Sequence, residues 1–326
     1  MKVCFIYREK RQSGYSIEEV FANVRKSLPA SIKQLEYVVD ATKSKWWNVK
    51  QVRKIDADVF HITGDCNYMA MGLTPKKTLL TIHDLGHFEV TLKGVKKWVY
   101  WFLWWALPLR RAKTFTTVSS FTKSKVLEYF SWLKPWQVNV VYNPLNEKFA
   151  YNPKELDSGV VNILQVGSGR NKNLENLIKA AQGLDVNLIL VREADNNFKE
   201  ELESKLIKFE WHTNVSQSKL QSLYEKSDIV YFASTYEGFG LPIIEGQIVG
   251  RPVITSKLCS MPEVAGEGAY LVDPNSVKEI KKSIQSLSQK KNWDEEVKRG
   301  LTNSKRFNSE TIANQYSEIY KSIVSS

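Results

Sequence analysis

Ile229-Val-Tyr-Phe-Ala-Ser-Thr-Tyr-Glu237-Gly-Phe-Gly-Leu-Pro-Ile-Ile-Glu245-Gly-Gln-Ile-Val249 reads as one strand–turn–helix unit. Ile229–Phe232 is a short apolar run, the pattern of a strand buried on both faces of a parallel sheet. Gly238 and Gly240 allow backbone conformations or close approaches that a Cβ would block. Pro242 suits the first turn of a helix, where no N–H is needed, and Leu241–Val249 carries the helical pattern. The start of that helix offers free N–H groups and the positive end of its dipole, a seat for a diphosphate. Glu237 lies before the helix and Glu245 about one turn into it. A carboxylate at each place can accept paired hydrogen bonds from vicinal hydroxyls, one set on a sugar and one on a ribose. Spacing alone equally fits Glu237 as a helix cap and Glu245 as a surface residue.

The same alternation runs through the chain. Apolar runs at Val3–Tyr7, Leu35–Val39, Asp58–Ile62, Thr78–Ile82, Thr114–Val118 and Gln137–Val141 predict strands in the first half. Val161–Val166, Val186–Val191, Phe209–His212, Ile229–Phe232, Pro252–Ile254 and Ala269–Leu271 predict them in the second. Helical patterns intervene, at Leu174–Ala181 and Leu220–Tyr224 for example, and Ser16 with Glu19 forms a capping box at the first helix. The chain of 326 residues is long enough for two cores. The polar stretch Asn143–Ser158, with Pro144 and Pro153, reads as the linker. The expected division is residues 1–148, residues 149–308, and a terminal helix over 309–326 that packs back on the first domain. The expected fold class is α/β, two Rossmann-like domains facing across a cleft, with ligand at the carboxyl ends of the strands.

Composition narrows the function. With 43% hydrophobic and 25% charged residues, the chain is a folded protein and not a disordered one. Residues 1–150 hold 24 Lys and Arg against 12 Asp and Glu, whereas residues 151–326 hold 22 against 23. The first half therefore suits an anionic partner and the second a small-molecule site. Cys4, Cys66 and Cys259 form neither a disulfide framework nor a zinc site, so a reducing cytoplasm is the expected home. Met1-Lys2 leads directly into a strand-length apolar run, with no secretion signal expected, and no stretch reaches the roughly 18 apolar residues of a spanning helix.

The segment Glu237–Glu245 resembles the Glu-x7-Glu motif of retaining glycosyltransferases of the GT-B fold, in particular glycosyltransferase family 4. The likeness runs from Leu220–Ser234 through Gly250-Arg-Pro-Val-Ile-Thr-Ser256 to Met261-Pro-Glu-Val-Ala-Gly266 and Leu271-Val-Asp-Pro274. The resemblance implies that Glu237 contacts the donor sugar and Glu245 the nucleotide ribose. It also implies that the amides around Gly238, Phe239, Gly240 and Leu241 meet the sugar and diphosphate. Gly246-Gln247 stands where the family commonly has Ala-Met.

Gly167-Ser-Gly169-Arg170-Asn-Lys172-Asn173 follows a strand and leads into a helix. As a bare pattern it is a turn with exposed cations. The resemblance makes Arg170 and Lys172 holders of the donor phosphates. His83, just past the strand Thr78–Ile82, reads on its own as a structural histidine or as half of a His83-x3-His87 metal site without a third ligand. The resemblance implies instead that His83 contacts the donor sugar. It likewise implies that Gly14, after the first strand, lies in a loop near donor and acceptor.

Lys96, Lys97, Trp98, Trp101, Trp105, Arg110 and Arg111 belong to a tryptophan-rich basic segment over 93–111. Trp98, Trp101 and Trp105 fall on one face of a regular helix. Such a segment is either a buried helix of the first domain or a docking face for an anionic membrane. The expectation is a glycosyltransferase that moves a sugar from a UDP- or GDP-linked donor to a glycan or lipid-linked acceptor in surface-glycan synthesis, with retention. It is expected to need no metal or other cofactor and to be cytoplasmic, at most peripheral on the membrane. A non-catalytic basic protein that binds nucleic acid or membrane is the competing reading. A sugar phosphorylase on the same scaffold lacks an identifiable pyridoxal phosphate lysine.

Overall fold

The computed structural model describes residues 1–9, 16–156 and 159–325. The chain divides into two compact units, Met1–Pro144 with Phe307–Ser326, and Leu145–Arg306. Each unit is built on a six-stranded, all-parallel sheet.

In the first unit the strands are β1 (Lys2–Tyr7), β2 (Lys33–Val38), β3 (Val59–Ile62), β4 (Thr78–Ile82), β5 (Thr114–Thr117) and β6 (Val138–Val140), in spatial order β2-β1-β3-β4-β5-β6. In the second they are β7 (Val161–Val166), β8 (Val186–Val191), β9 (Lys208–His212), β10 (Ile229–Phe232), β11 (Val253–Ser256) and β12 (Tyr270–Val272), in order β12-β11-β10-β7-β8-β9. Each strand falls on the apolar run that predicts it, with ends shifted by at most two residues. Parallel strands need helical crossovers, and crossovers cover both faces, so the central strands are apolar throughout. Ile229, Val230, Tyr231 and Phe232 are all buried, as are all residues of β3, β4 and β11.

This order decides where a ligand can sit. In an open parallel sheet, chain progression reverses direction at one pair of neighbours, and the loops leaving their carboxyl ends splay apart into a crevice. The reversal falls between β1 and β3 in the first unit and between β7 and β10 in the second.

The last helix, Ser309–Val324, packs on the first unit through the helix Ser16–Lys26 and β3. Its Tyr320 hydroxyl lies 2.7 Å from Nδ1 of the buried His61, whose Nε2 lies 2.7 Å from the Thr81 hydroxyl. Burial pulls the His61 pKa down to about 3, with His83 adding a smaller push in the same direction. The ring is neutral and wholly structural.

The tryptophan-rich segment is helical but not regularly so. Gly94–Tyr100 is an α-helix, Trp101–Ala106 is wound wider as a π-helix, and Leu107–Leu109 returns to α. The wide turn is closed by the Leu107 N–H donating to the Phe102 carbonyl. It rotates later side chains away from a regular 3.6-residue phase. Trp105 is buried, Trp101 is half-buried against Phe130 and Trp132, and Trp98 is exposed. The three rings still follow one row, since Trp98 meets Trp101 and both Trp101 and Trp105 pack on Phe130. An exposed apolar stripe of Val95, Trp98, Val99, Phe102 and Leu103 runs along the same segment.

Candidate functional site

β7 runs into Gly167, held at φ +108°. A Cβ there would come 2.8 Å from Cε of Lys172, so glycine is what lets the lysine fold back over the turn. Arg170–Lys172 form a short 3-10 turn closed by Asn173 in the left-handed region, and the helix Leu174–Ala181 starts there. The Asn173 side chain holds this corner by donating to the carbonyls of Ala233 and Pro274.

From the other side of the reversal point, β10 leads into Ser234–Gly240. The two loops are joined directly. Lys172 Nζ lies 2.6 Å from Glu237 Oε1, and Asn171 Nδ2 donates to the same oxygen at 3.0 Å and to the Tyr236 carbonyl. The Thr235 N–H donates back to the Asn171 carbonyl. Lys172 also lies 4.6 Å over the Phe232 ring. Gly240, at φ +109°, caps the helix Leu241–Val249, and Ser260 Oγ donates to the carbonyls of Glu237 and Phe239. The loop is thus rigidly tied, with its carboxylate beside a lysine and a helix N-terminus.

Glu245, inside that helix, does not touch Glu237. Its Oε2 accepts from the Tyr224 hydroxyl at 2.6 Å. Burial raises its pKa to about 7, and the Tyr224 bond pulls the other way. Gly246 faces the sheet, where a Cβ would meet Val230 Cγ2 at 2.9 Å. Gln247 is buried and donates to the carbonyls of Ala265 and Gly268 while accepting from Asn303. The departure from the common Ala-Met thus reflects a closer helix–sheet approach and a polar network behind it.

Arg170 is exposed, and no ion pair of its guanidinium occurs among the described residues. Gly238 and Phe239 are buried, and Leu241 is the first residue of the helix. Gly14 and the Ser16 side chain of the capping box lie outside the described residues. Asn171 and Tyr224, the partners of the two glutamates, carried no sequence signal beyond their neighbours. Ser260 and Gly64 were likewise silent.

In the first unit, His83 follows β4. Its Nε2 lies 2.7 Å from the Thr63 carbonyl and so must carry the proton, leaving Nδ1 as an acceptor. Burial lowers its pKa, against a smaller raising effect from the Thr63 bond. Gly64, at φ +141°, gives the ring its room, since a Cβ there would lie 2.7 Å from Cδ2. His87 sits edge-on to Tyr100 with ring centroids 5.2 Å apart. No cluster of three or more His, Cys, Asp or Glu that could hold a metal occurs among the described residues. Lys96, Arg110 and Arg111 are exposed, and Lys97 lies 4.7 Å over the Phe88 ring. Among the described residues, no helix is long and apolar enough to cross a membrane.

The chain is similar to known proteins. Residues 149–304 match the family model described as Glycosyl transferases group 1, and residues 8–149 match that of Glycosyltransferase Family 4. The chain is 38% identical over 108 residues to O-antigen chain mannosyltransferase B of Escherichia coli, covering 33% of this chain and 28% of that protein. It is 27% identical over 219 residues to O-antigen chain mannosyltransferase RfbU of Salmonella typhimurium, covering 64% of this chain and 60% of that protein. The chain thus matches less than two thirds of the length of these relatives. The crystal structure of Anabaena Alr3699/HepE in complex with UDP superposes with a TM-score of 0.78 at 16% identity, over 99% of this chain and 100% of that one. WaaG, a glycosyltransferase involved in lipopolysaccharide biosynthesis, gives a TM-score of 0.73 at 12% identity over 98% and 99%. The two family models thus lie in tandem on the two parallel α/β units, and the fold is that of the GT-B glycosyltransferases.

Proposed function

We propose that the protein transfers a hexosyl group from a nucleotide-sugar to an acceptor hydroxyl of a surface glycan or its lipid-linked precursor, with retention of configuration. The observation that carries this reading is the junction of Lys172, Asn171 and Glu237 at the reversal point of the second sheet, beside the start of the helix Leu241–Val249. There the diphosphate meets Lys172, Arg170 and the helix amides of Gly240 and Leu241, which stabilise the charge that develops as it leaves. Glu237 accepts from hydroxyls of the transferred sugar. Glu245, one turn along, accepts from the ribose. The acceptor oxygen attacks the face from which the diphosphate departs and gives its proton to a phosphate oxygen.

The names of the relatives make a GDP-linked mannose the first donor to test, and the UDP in the HepE crystal makes UDP-glucose the second. The protein works on the cytoplasmic face of a membrane, held by the exposed stripe and cations of the segment 93–111. The non-catalytic reading leaves the linked Lys172, Asn171 and Glu237 without purpose. Thermal-shift measurements with GDP, UDP and their sugars test the donor site, because a bound ligand raises stability. An unchanged melting temperature with all of them at millimolar concentration sinks the proposal. NMR of the product gives the anomeric configuration, and an inverted product removes the retaining mechanism.

A further inference from the structure

Two helices of the second unit are bound together at their C-terminal ends, and each contributes one member of a hydrogen-bonded pair. Tyr224 lies in the last turn of the helix Gln217–Lys226, and Glu245 in the middle of the helix Leu241–Val249. Between them the Tyr224 hydroxyl donates to Glu245 Oε2 at 2.6 Å.

The pair is asymmetric. Tyr224 is wholly buried, with its ring edge-on to that of Phe149 and centroids 5.2 Å apart. Its carbonyl accepts from Ser227 Oγ at 2.8 Å, so its backbone is tied as well as its ring. Burial, and then the neighbouring carboxylate, push the phenol well above its ordinary range, and it stays a proton donor. Glu245 is only half-buried, and its Oε1, which no described residue pairs, is open to solvent. The carboxylate is therefore gripped on its inner edge and free on its outer one.

Arg251 fixes the distance between the two helices. The buried guanidinium donates to the carbonyls of Glu225 and Ser227 where the first helix ends, and to those of Val249 and Gly250 where the second ends. It also donates to the Asn152 carbonyl. Among the described residues no carboxylate pairs with it, and the cation meets the negative ends of two helix dipoles instead. A planar fork can bridge both ends at a set spacing, as a single ammonium cannot.

A glutamate side chain turns about several bonds, and a ligand that has to immobilise it loses affinity. A buried phenol that already holds one oxygen removes that loss before the ligand arrives. Of the roughly four acceptor positions of a carboxylate the phenol takes one, which leaves enough for both hydroxyls of a vicinal diol. We propose that Tyr224 is a positioning residue for the donor nucleotide, locking Glu245 so that the free edge of its carboxylate meets the two ribose hydroxyls. The proposal rests on the ribose role given to Glu245 above.

The test is calorimetric titration of the full chain with GDP and UDP and with their 2′,3′-dideoxy forms. It is run at pH 8, where Glu245, with its pKa of about 7, is ionised. Each pair shares its base and diphosphate, so the ratio of affinities reads the ribose hydroxyls alone. Wild type should favour the ribonucleotide about thirtyfold, and Tyr224→Phe should lower that ratio about tenfold by weakening the ribonucleotide alone. Phenylalanine keeps the ring against Phe149, and the oxygen it releases belongs to a half-exposed group, so the variant should fold. A tyrosine that serves stability alone would weaken both forms equally or neither, and either result overturns the proposal. Glu245→Gln should show the same small ratio, and adding Tyr224→Phe to it should lower the ratio no further. A further loss in the double variant means that Tyr224 acts apart from Glu245, which also overturns the proposal. If wild type binds both forms equally, or neither, the ribose role of Glu245 falls and the proposal with it. If wild type and Tyr224→Phe discriminate alike, the donor reading stands and the proposal alone falls.

Discussion

Lys172 Nζ and Glu237 Oε1 are 2.6 Å apart, across the two loops that leave neighbouring strands β7 and β10, and both side chains are at least four-fifths buried. The proposed phosphate-holding cation and sugar-holding carboxylate therefore hold each other, and a donor has to share or exchange this contact. Lys172→Ala should lower stability by about 2 kcal/mol, since it strands a largely buried carboxylate with Asn171 as its remaining donor of this cluster. It should also weaken nucleotide-sugar binding at least tenfold. Glu237→Ala should abolish transfer while largely preserving nucleotide binding. Denaturant melts and calorimetric titration separate the two, and wild-type turnover in Glu237→Ala refutes its role.

Glu245 gives the donor site a pH signature. Burial raises its folded pKa from 4.5 to about 7, so below neutrality the proton competes with ribose hydroxyls that need the carboxylate. Nucleotide-sugar affinity should fall about tenfold per pH unit below pH 7 and level off above it. The diphosphate diester of the donor does not titrate there. Glu245→Gln should bind more weakly at pH 8 and show a flat profile, and an unchanged slope in this variant removes the assignment.

Gly246→Ala tests why this chain departs from the common Ala. Alanine gains about 1 kcal/mol of helix propensity. Against this, its Cβ would meet Val230 at 2.9 Å and Val253 at 3.1 Å, both short branched side chains of the sheet. Overpacking costs about 1–3 kcal/mol, so the net effect should be destabilising by about 1 kcal/mol. A variant that melts higher than wild type would show that the helix shifts freely.

His61 sets an acid limit on the first unit. Its pKa falls from 6.5 to about 3 on folding, so its contribution is complete above pH 6.5 and is lost as pH falls toward 3. The slope is about 1.4 kcal/mol per pH unit. Glu245 acts with the opposite sign between pH 4.5 and 7, so the useful comparison is between variants. His61→Gln should flatten the acid limb of melting temperature against pH. Tyr320→Phe should cost about 1–3 kcal/mol by leaving the His61 Nδ1 position unpaired. Identical acid limbs in wild type and His61→Gln would reject this account.

The stripe Val95, Trp98, Val99, Phe102 and Leu103 predicts binding to vesicles of phosphatidylcholine with phosphatidylglycerol, and not to phosphatidylcholine alone. Trp98→Glu with Leu103→Glu should abolish sedimentation with vesicles without altering the melting temperature. Persistent binding of this double variant locates the membrane contact elsewhere.

The twelve strands among the described residues and the helix Leu241–Val249 were legible in the sequence, because a strand buried on both faces must be apolar and its turn must break that run. Glu237, Glu245 and Lys172 were legible through the order of motifs around them. What joins them was not. Asn171 reaches Glu237 across 66 positions, Tyr224 reaches Glu245 from another helix, and His61 meets Tyr320 across 259 positions. Periodicity reports which face of an element is apolar, and it carries no information on which polar side chains meet across separate elements. For a related reason, a regular helical phase does not foresee the π turn in the tryptophan-rich segment. The sequence by itself determined the two sheets and the neighbourhood of the site. Only the tertiary structure decided that Lys172 and Glu237 touch and that Trp105 turns inward.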